Sequence, residues 1–385
     1  MVTLTSIETR QDIFDSATRI KQLTQQPSDF LTDILVQQQQ YACIDWICHF
    51  GVLNAIPLPP GSVSYSALAT KLKLSESTIR SVARMAMTAN FLSETPNGEL
   101  AHNSLSAVFV EDPNLKTWLS YLVNRSVPCM RTYLEATEKW PDSIKGNETA
   151  YNIAMKTDLS FFDHLKTNPD LSSEFGRYMK SQSTVHAGAS VDHLVTAFDW
   201  AALGKAKVVD VGGNSGSASL ALARAFPDLH FVVEDLPEPT KNARVQAESL
   251  SMDLTGRIEF LEHDFFTPQP VKDADVYLLR MIIHDWPDVD AVRILKELAE
   301  VMKEGSRILI MDMVLPSPGT TSSTFEAALR QKDLMMRQVL NAKEREVEDW
   351  HMLVEKVDKD LRVMSIRRPQ GSQHSIIEIG RSASL

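Results

Sequence analysis

The sequence has few cysteines and no apolar run long enough to cross a membrane. Cys43, Cys48 and Cys129 are the only cysteines among 385 residues, too few for a disulfide framework. Cys43 and Cys48 also lack the CxxC spacing of a zinc-binding or redox pair. No window approaches the roughly 18 consecutive apolar residues that identify a transmembrane helix. We therefore expect reduced thiols and a cytoplasmic protein without a membrane partner.

Positive charge is scarce as well. The chain has 39 Lys and Arg residues against 50 Asp and Glu residues, which gives a formal net charge of −11. This balance disfavours nucleic acid and anionic lipid as partners. Residues 1–29 are polar and partly acidic, so they lack the apolar core of a secretory signal.

The composition is that of a globular protein, with 43% hydrophobic and 23% charged residues. The length suits two domains of about 100–200 residues each. A helix-rich pattern gives way to alternating strands and helices near residues 190–205. We therefore predict a helical domain over 1–195 and a strand-containing domain over 196–385.

A winged-helix pattern lies within the first half. Helical patterns over 65–72 and 75–89 are followed by two short extended segments, over 91–94 and 97–100. These segments predict a hairpin, because Asn97-Gly98 is a strong turn signal.

Two functions fit a winged helix, namely DNA binding and a structural or dimerisation role. Arg80 and Arg84 are the only basic residues in the predicted helix over 75–89, and the whole chain is acidic. The sequence therefore favours dimerisation and no nucleic-acid partner.

The second half alternates between short apolar strands and helices, which predicts an α/β doubly wound sheet, mainly parallel, with helices on both faces. Strands are expected over 207–211, 230–234, 257–262, 275–283 and 307–314, with helices over 217–226, 239–251, 288–303, 324–340 and 346–357. A closing antiparallel pair is expected over 362–367 and 374–380.

A glycine-rich loop follows the first of these strands. Gly212, Gly213 and Gly216 allow turns and a close backbone approach that a Cβ would obstruct. The helix behind the loop presents free N–H groups. The spacing is not the GxGxxG of a dinucleotide site, and Asp210 precedes it at the strand end. A carboxylate there suits a ligand with a cationic amino group.

Acidic residues also follow the next two strands. Asp235 ends the second strand, where this type of fold places an acceptor for ribose hydroxyls, and Glu234 is the alternative because the register is open. Asp264 follows the third strand beside Phe265, a pair that suits an adenine amino group and ring. Together with Asp210 they predict one nucleoside-binding edge.

A candidate base follows the fourth strand. His284 lies between a buried strand and a helix, and its imidazole changes protonation near neutral pH. Asp312 and Glu344 are the acids available to orient the ring and to stabilise its charged form. No metal is expected, because His284 has no neighbours at zinc-ligand spacing.

Five segments between Asp210 and Arg345 carry a resemblance to a known family. In order and spacing they resemble the plant caffeic acid-type and fungal polyketide-type O-methyltransferases, which use S-adenosyl-L-methionine on small molecules. The segments are Asp210-Val211-Gly212-Gly213-Asn214-Ser215-Gly216, Glu234-Asp235-Leu236-Pro237, His263-Asp264-Phe265-Phe266, His284-Asp285-Trp286 and Ala342-Lys343-Glu344-Arg345.

The resemblance implies a class I methyltransferase, Rossmann-like fold with an N-terminal all-α winged-helix dimerisation domain, a homodimer and a small-molecule substrate. It implies that His284 takes a phenolic proton while Asp312 and Glu344 orient it. The cofactor-binding residues are then Asp210, Gly212, Gly213, Gly216, Asp235, Leu236, Asp264, Phe265, Arg280 and Ser183. The substrate-binding residues are Phe161, Phe162, Met179, Trp286, Met336 and Arg337.

Alternatives remain at two points. Arg337 stands where the family usually has apolar side chains, so it faces either a polar substrate group or the solvent. Relatives of the same fold keep the cofactor as a fixed charge and catalyse dehydration or pericyclic cyclisation, and several of them lack the histidine. Retention of His284 favours methyl transfer.

A nucleotide-sensing winged-helix regulator fits less well, because the chain is acidic and retains His284, Asp312 and Glu344.

Overall fold

The computed structural model describes residues 7–248 and 251–381, which form two compact units. One unit contains the chain up to Val127 together with Asp170–Val185, and the other contains Pro128–Pro169 and the chain from His186 onward. The domain boundary predicted at residue 195 does not coincide with this division. No helix among the described residues is long and apolar enough to cross a membrane.

Residues 7–185 are largely helical, as predicted. Their helices are α1 (Ile7–Thr24), α2 (Pro27–His49), α3 (Val52–Ala55), α4 (Tyr65–Leu72), α5 (Glu76–Met87), α6 (Ser104–Glu111), α7 (Pro113–Tyr121), α8 (Val127–Lys139), α9 (Ala150–Met155), α10 (Phe161–Thr167) and α11 (Pro169–Val185). Their strands are β1 (Ser62–Val63), β2 (Ser93–Glu94) and β3 (Leu100–Ala101).

Side-chain caps start the two helices of the predicted winged-helix pattern. Ser64 and Ser75 accept the N–H groups of the third residues of α4 and α5, which satisfies donors that the helices leave free. β3 then pairs antiparallel with both β1 and β2, so the hairpin forms as predicted. On α5, Arg80 pairs with Glu76 (2.8 Å) and Arg84 with Glu94 (2.9 Å). Both basic side chains of the would-be recognition helix are thus bound to carboxylates of their own unit.

The remainder of the chain alternates strands and helices. Its helices are α12 (Asp192–Ala197), α13 (Ser217–Ala225), α14 (Pro237–Ala247), α15 (Met252–Thr255), α16 (Asp288–Ala299), α17 (Ser323–Leu340) and α18 (Val347–Val357). Its strands are β4 (Lys207–Val211), β5 (His230–Asp235), β6 (Ile258–Glu262), β7 (Val276–Arg280), β8 (Arg307–Asp312), β9 (Val314–Leu315), β10 (Arg345–Glu346), β11 (Leu361–Arg367) and β12 (Ser375–Arg381). Part of the helix predicted over 239–251, at 249–250, lies outside the described residues.

Seven of these strands form one sheet in the order β11-β12-β8-β7-β4-β5-β6. Strands β4 to β8 run parallel, and β12 lies antiparallel between β8 and β11, which confirms the doubly wound α/β prediction and the closing antiparallel pair. Alternate residues of β4 bury opposite faces. Val209 packs in a cluster with residues of α16 and α18, and Val208 packs in one with residues of α12 and α13.

The parallel strands end at a common edge of the sheet, and two of them end earlier than predicted. β7 stops at Arg280, because Met281 takes a left-handed backbone conformation (φ 56°) that cannot continue a strand. A 3₁₀ turn over Ile283–Asp285 follows. β8 stops at Asp312, and β9 resumes two residues later. Ligands of open α/β sheets bind at this edge.

Candidate active site

The loop after β4 requires its glycines. Gly212 and Gly216 have positive φ angles of 71° and 74°, which glycine adopts without steric penalty. A Cβ on Gly213 would lie 2.7 Å from a methyl carbon of Val233 and 2.8 Å from the Asp210 carboxyl carbon. The loop therefore packs directly onto the strand ends, with α13 starting immediately behind it.

Asp210 is buried beneath this loop. Its Oδ2 accepts a hydrogen bond from the Ser219 hydroxyl at 2.6 Å. Burial raises the pKa of Asp210 to about 6, although the Ser219 bond acts in the opposite direction. This carboxylate fixes the loop to the first turn of α13, and its contact with a cofactor stays a prediction.

The two adjacent acids at the end of β5 lie in different surroundings. Asp235 lies at the edge, where its carboxylate accepts the N–H groups of Asn214 and Leu236, both at 2.8 Å. Glu234 is 1% exposed and is hydrogen-bonded to His263 (3.0 Å) and Gln269 (2.9 Å) in the interior. Asp235 is thus the acid next to the glycine loop, with the exposed Leu236 beside it.

An aromatic cluster forms near the end of β6. Trp286 lies 5.8 Å from Phe265 and 4.7 Å from Phe266, and it stacks on Phe162 at 5.7 Å between ring centroids. Phe161 in turn contacts Phe162 at 5.3 Å. Residues predicted for the cofactor and for the substrate therefore share one cluster. Asp264, which is exposed, accepts the Phe266 N–H at 3.0 Å.

Arg280, the last residue of β7, uses only some of its hydrogen-bond donors. Its Nη2 donates to the Ala189 carbonyl oxygen (2.9 Å), but its buried Nε has no hydrogen-bond partner. Burial lowers the pKa of Arg280, and the carboxylates of Asp210 and Asp312 offset part of that effect. A partly buried guanidinium with a free donor is suited to an anionic ligand group.

His284 and Glu344 form the central pair. The His284 Nδ1 lies 2.8 Å from Glu344 Oε1, and the His284 side chain is 9% exposed. The other ring nitrogen, Nε2, lies 3.6 Å from Asp285 Oδ1, beyond hydrogen-bonding distance. Nδ1 is therefore occupied, and Nε2 forms no hydrogen bond with any residue that the structure describes.

Three carboxylates set the charge of this histidine. Burial opposes a charged imidazole, but Glu344, Asp285 and Asp312 outweigh burial and raise the pKa of His284 well above its ordinary value. Burial also disfavours the charged form of Asp285, and it raises the pKa of this carboxyl group to about 6. A raised imidazole pKa makes His284 a stronger base, because the protonated ring is stabilised.

Asp312 forms its hydrogen bond with the backbone of His284, whereas its charge reaches the ring through space. Its Oδ2 accepts the His284 main-chain N–H at 3.1 Å, while Oδ1 is buried without a partner. The prediction that Asp312 orients the ring stays a prediction, and the hydrogen bond that the structure shows reaches only the 3₁₀ turn. Among residues 7–248 and 251–381, no three His, Cys, Asp or Glu side chains are arranged to hold a metal ion.

Two further residues brace the pair and were not predicted. Asp333 on α17 accepts the Glu344 N–H at 3.0 Å. Arg345 is completely buried and donates to the carbonyl oxygens of Ile283 (2.9 Å) and Trp286 (3.0 Å). Arg345 lies within a family-like segment, and that was its only signal in the sequence.

The remaining predicted residues lie on helices. Met336 is 7% exposed on α17. Arg337 on the same helix has a side chain 48% exposed and lies 3.7 Å from Asp333, so its acidic partner comes from its own helix. Met179 and the exposed Ser183 lie on α11 in the first unit, and Ser183 Oγ donates to the Lys180 carbonyl oxygen (2.9 Å). Their roles at the site stay predictions.

Comparisons with known proteins place the chain in a family. An O-methyltransferase domain model matches residues 141–357. The O-methyltransferase fsr2 of Gibberella fujikuroi is 55% identical over 96% of this chain and 95% of its own length. The O-methyltransferase VdtC of Byssochlamys spectabilis is 46% identical over 97% of this chain and 86% of its own length.

A solved structure agrees with these relatives. The mitomycin 7-O-methyltransferase MmcR superposes with a TM-score of 0.73 at 27% identity, covering 95% of this chain and all of that one. The residues matched by the domain model, 141–357, include the glycine loop and Glu344. The chain is therefore a member of the S-adenosyl-L-methionine-dependent O-methyltransferase family.

Proposed function

We propose that this enzyme methylates a hydroxyl group of a small aromatic or polyketide-type metabolite, with His284 as general base. The observation that carries the proposal is the 2.8 Å contact between His284 Nδ1 and Glu344, which leaves Nε2 without a partner at the ligand edge of the sheet. The names of fsr2 and VdtC describe the same class of reaction.

The residues along the edge fit the cofactor. Asp235 is the acceptor for ribose hydroxyls, Asp264 and Phe265 receive adenine, and the free Nε of Arg280 suits a carboxylate. When bound, S-adenosyl-L-methionine supplies a methyl group on a sulfonium, which is already a good leaving group. The protein therefore has to bind, orient and deprotonate.

Deprotonation is assigned to His284. Nε2 accepts the proton of the acceptor hydroxyl while Glu344 accepts a hydrogen bond from Nδ1–H, which fixes the tautomer and stabilises the imidazolium. A general base of this kind contributes about 10²–10⁴-fold to the rate. The aromatic rings of Phe162, Trp286 and Phe265 provide an apolar surface that suits a flat acceptor. Holding the acceptor oxygen in line with the methyl group contributes about 7–11 kcal/mol through proximity.

Methyl transfer is tested with purified enzyme, methyl-labelled S-adenosyl-L-methionine and a panel of phenols and hydroxyquinones. We expect labelled product that is heavier by one methyl group, together with S-adenosylhomocysteine in equal amount. A product of unchanged mass that forms without label would instead favour dehydration or cyclisation, with the cofactor acting as a fixed charge.

Asp235→Ala is expected to weaken S-adenosyl-L-methionine binding by about 1–3 kcal/mol, because a partly buried charged acceptor is lost. Titration calorimetry measures the change. The control is Asp228→Ala, since Asp228 is exposed just before the opposite end of the same strand. Equal affinity of Asp235→Ala and wild type would place the ribose contact on another residue.

We also propose a homodimer built on residues 1 to about 120. The described part of this segment, from residue 7, exposes apolar side chains on α1 and α2 that a soluble monomer would bury. They are Ile13, Phe14, Ile20, Leu23, Phe30, Leu31, Ile34 and Leu35, each at least 42% exposed. Light scattering at micromolar concentration should give twice the mass of one chain, and the mass of a single chain would refute the dimer.

A further inference from the structure

A lysine lies on the buried face of α17, close to the His284–Glu344 pair. The buried positions of this helix are Leu329, Met336, Gln338 and Leu340, and Leu329 and Met336 lie seven residues, or two turns, apart on one face. Lys332 falls in the same row, three residues after Leu329 and four before Met336. Its neighbour Asp333 contacts the Glu344 main chain, so this part of α17 adjoins the catalytic segment.

Lys332 has no partner of its own. It forms neither an ion pair nor a hydrogen bond with any residue that the structure describes. The one carboxylate that acts on its charge is Glu344, and this residue is already bound to His284. Burial lowers the pKa of Lys332 accordingly.

The other groups near Lys332 cannot neutralise it. Burial, followed by the charge of Lys332, lowers the pKa of His186. Burial, followed by the charges of Arg280, His284 and Lys332, lowers the pKa of His374 to about 3. His374 is 1% exposed, and neither of its ring nitrogens has a hydrogen-bond partner. The surroundings of Lys332 therefore contain two neutral imidazoles, His186 and His374, and the ring nitrogens of His374 have no hydrogen-bond partner.

A half-buried ammonium group without a carboxylate partner costs desolvation free energy, unless a bound ligand supplies the negative charge. We propose that Lys332 binds an anionic oxygen of the acceptor, close to the hydroxyl that His284 deprotonates, and so selects acidic aromatic acceptors. This inference rests on the proposed function. The anionic oxygen belongs either to a carboxylate or to an ionised enol conjugated with a ring carbonyl, and the two sources need separate probes.

The test measures binding and does not require turnover. Equilibrium dialysis in the presence of S-adenosylhomocysteine compares 3-hydroxy-2-naphthoate with its neutral amide, and 2-hydroxy-1,4-naphthoquinone with its neutral methyl ether. The wild type should prefer the anion at least about tenfold in one pair, as expected for a partly desolvated ion pair. The pair that shows the preference identifies the carboxylate or the enol.

Lys332→Gln should reduce this preference to less than about twofold, and Lys332→Arg should retain part of it because the charge remains. Lys296→Gln, an exposed lysine on α16, is the matched control and should keep the full preference. Two results would overturn the proposal: no preference in the wild type, including failure to bind any probe, or a preference that survives in Lys332→Gln. The labelled-methyl assay reads out the proposed function separately.

Discussion

Replacing His284 with alanine should lower turnover by about 10²-fold or more while leaving cofactor affinity unchanged. The imidazole acts on the acceptor hydroxyl through Nε2, whereas ribose and adenine are assigned to Asp235 and Asp264. Loss of the ring thus removes the base without removing a cofactor contact. Single-turnover rates and calorimetry with S-adenosylhomocysteine measure the two quantities independently.

The alkaline limb of the pH profile provides a second check on His284. An acidic phenol ionises at high pH without a general base, so His284→Ala should recover part of its activity there. His351→Ala is the control, because His351 is exposed on α18 and should be dispensable. A variant that keeps wild-type turnover, or that loses cofactor binding to the same degree as turnover, would remove His284 from the role of base.

The ligand edge could be predicted from the sequence because its signals are local. Short apolar strands, glycines after the first strand and acids at the strand ends mark this edge without knowledge of tertiary contacts. The choice between Glu234 and Asp235 could not be predicted in that way. It depends on the register of β5 between β4 and β6, which turns Glu234 toward His263 in the interior.

Features that depend on distant packing were also not predicted. Residues 128–169 group with the C-terminal half, where the Asn341 side chain donates to the carbonyl oxygens of Lys145 (2.8 Å) and Glu148 (3.0 Å). Helical periodicity in the first half does not indicate such contacts. Lys332 was not predicted either, although the spacing of Leu329, Lys332 and Met336 already places a lysine in an apolar row.

Glu344→Gln should lower the maximal rate on the order of 10²-fold and move the rising limb of kcat/KM to lower pH. Glu344 is the foremost of the charges that raise the pKa of His284, with Asp285 and Asp312 behind it. The wild-type rate therefore rises with pH as the raised pKa of His284 is passed and Nε2 becomes free to accept a proton. An amide at position 344 keeps the shape and an oxygen acceptor but removes the charge.

Without that charge the imidazolium is less stable, so His284 loses its proton at lower pH and is a weaker base at every pH above it. The shift and the loss of rate should therefore appear together, and the pH dependence of kcat/KM in the free enzyme measures both. Glu348→Gln, an exposed acid on α18, is the control for charge removal as such. A lower rate with an unchanged limb would mean that Glu344 only positions the ring, and that Asp285 and Asp312 alone set its protonation.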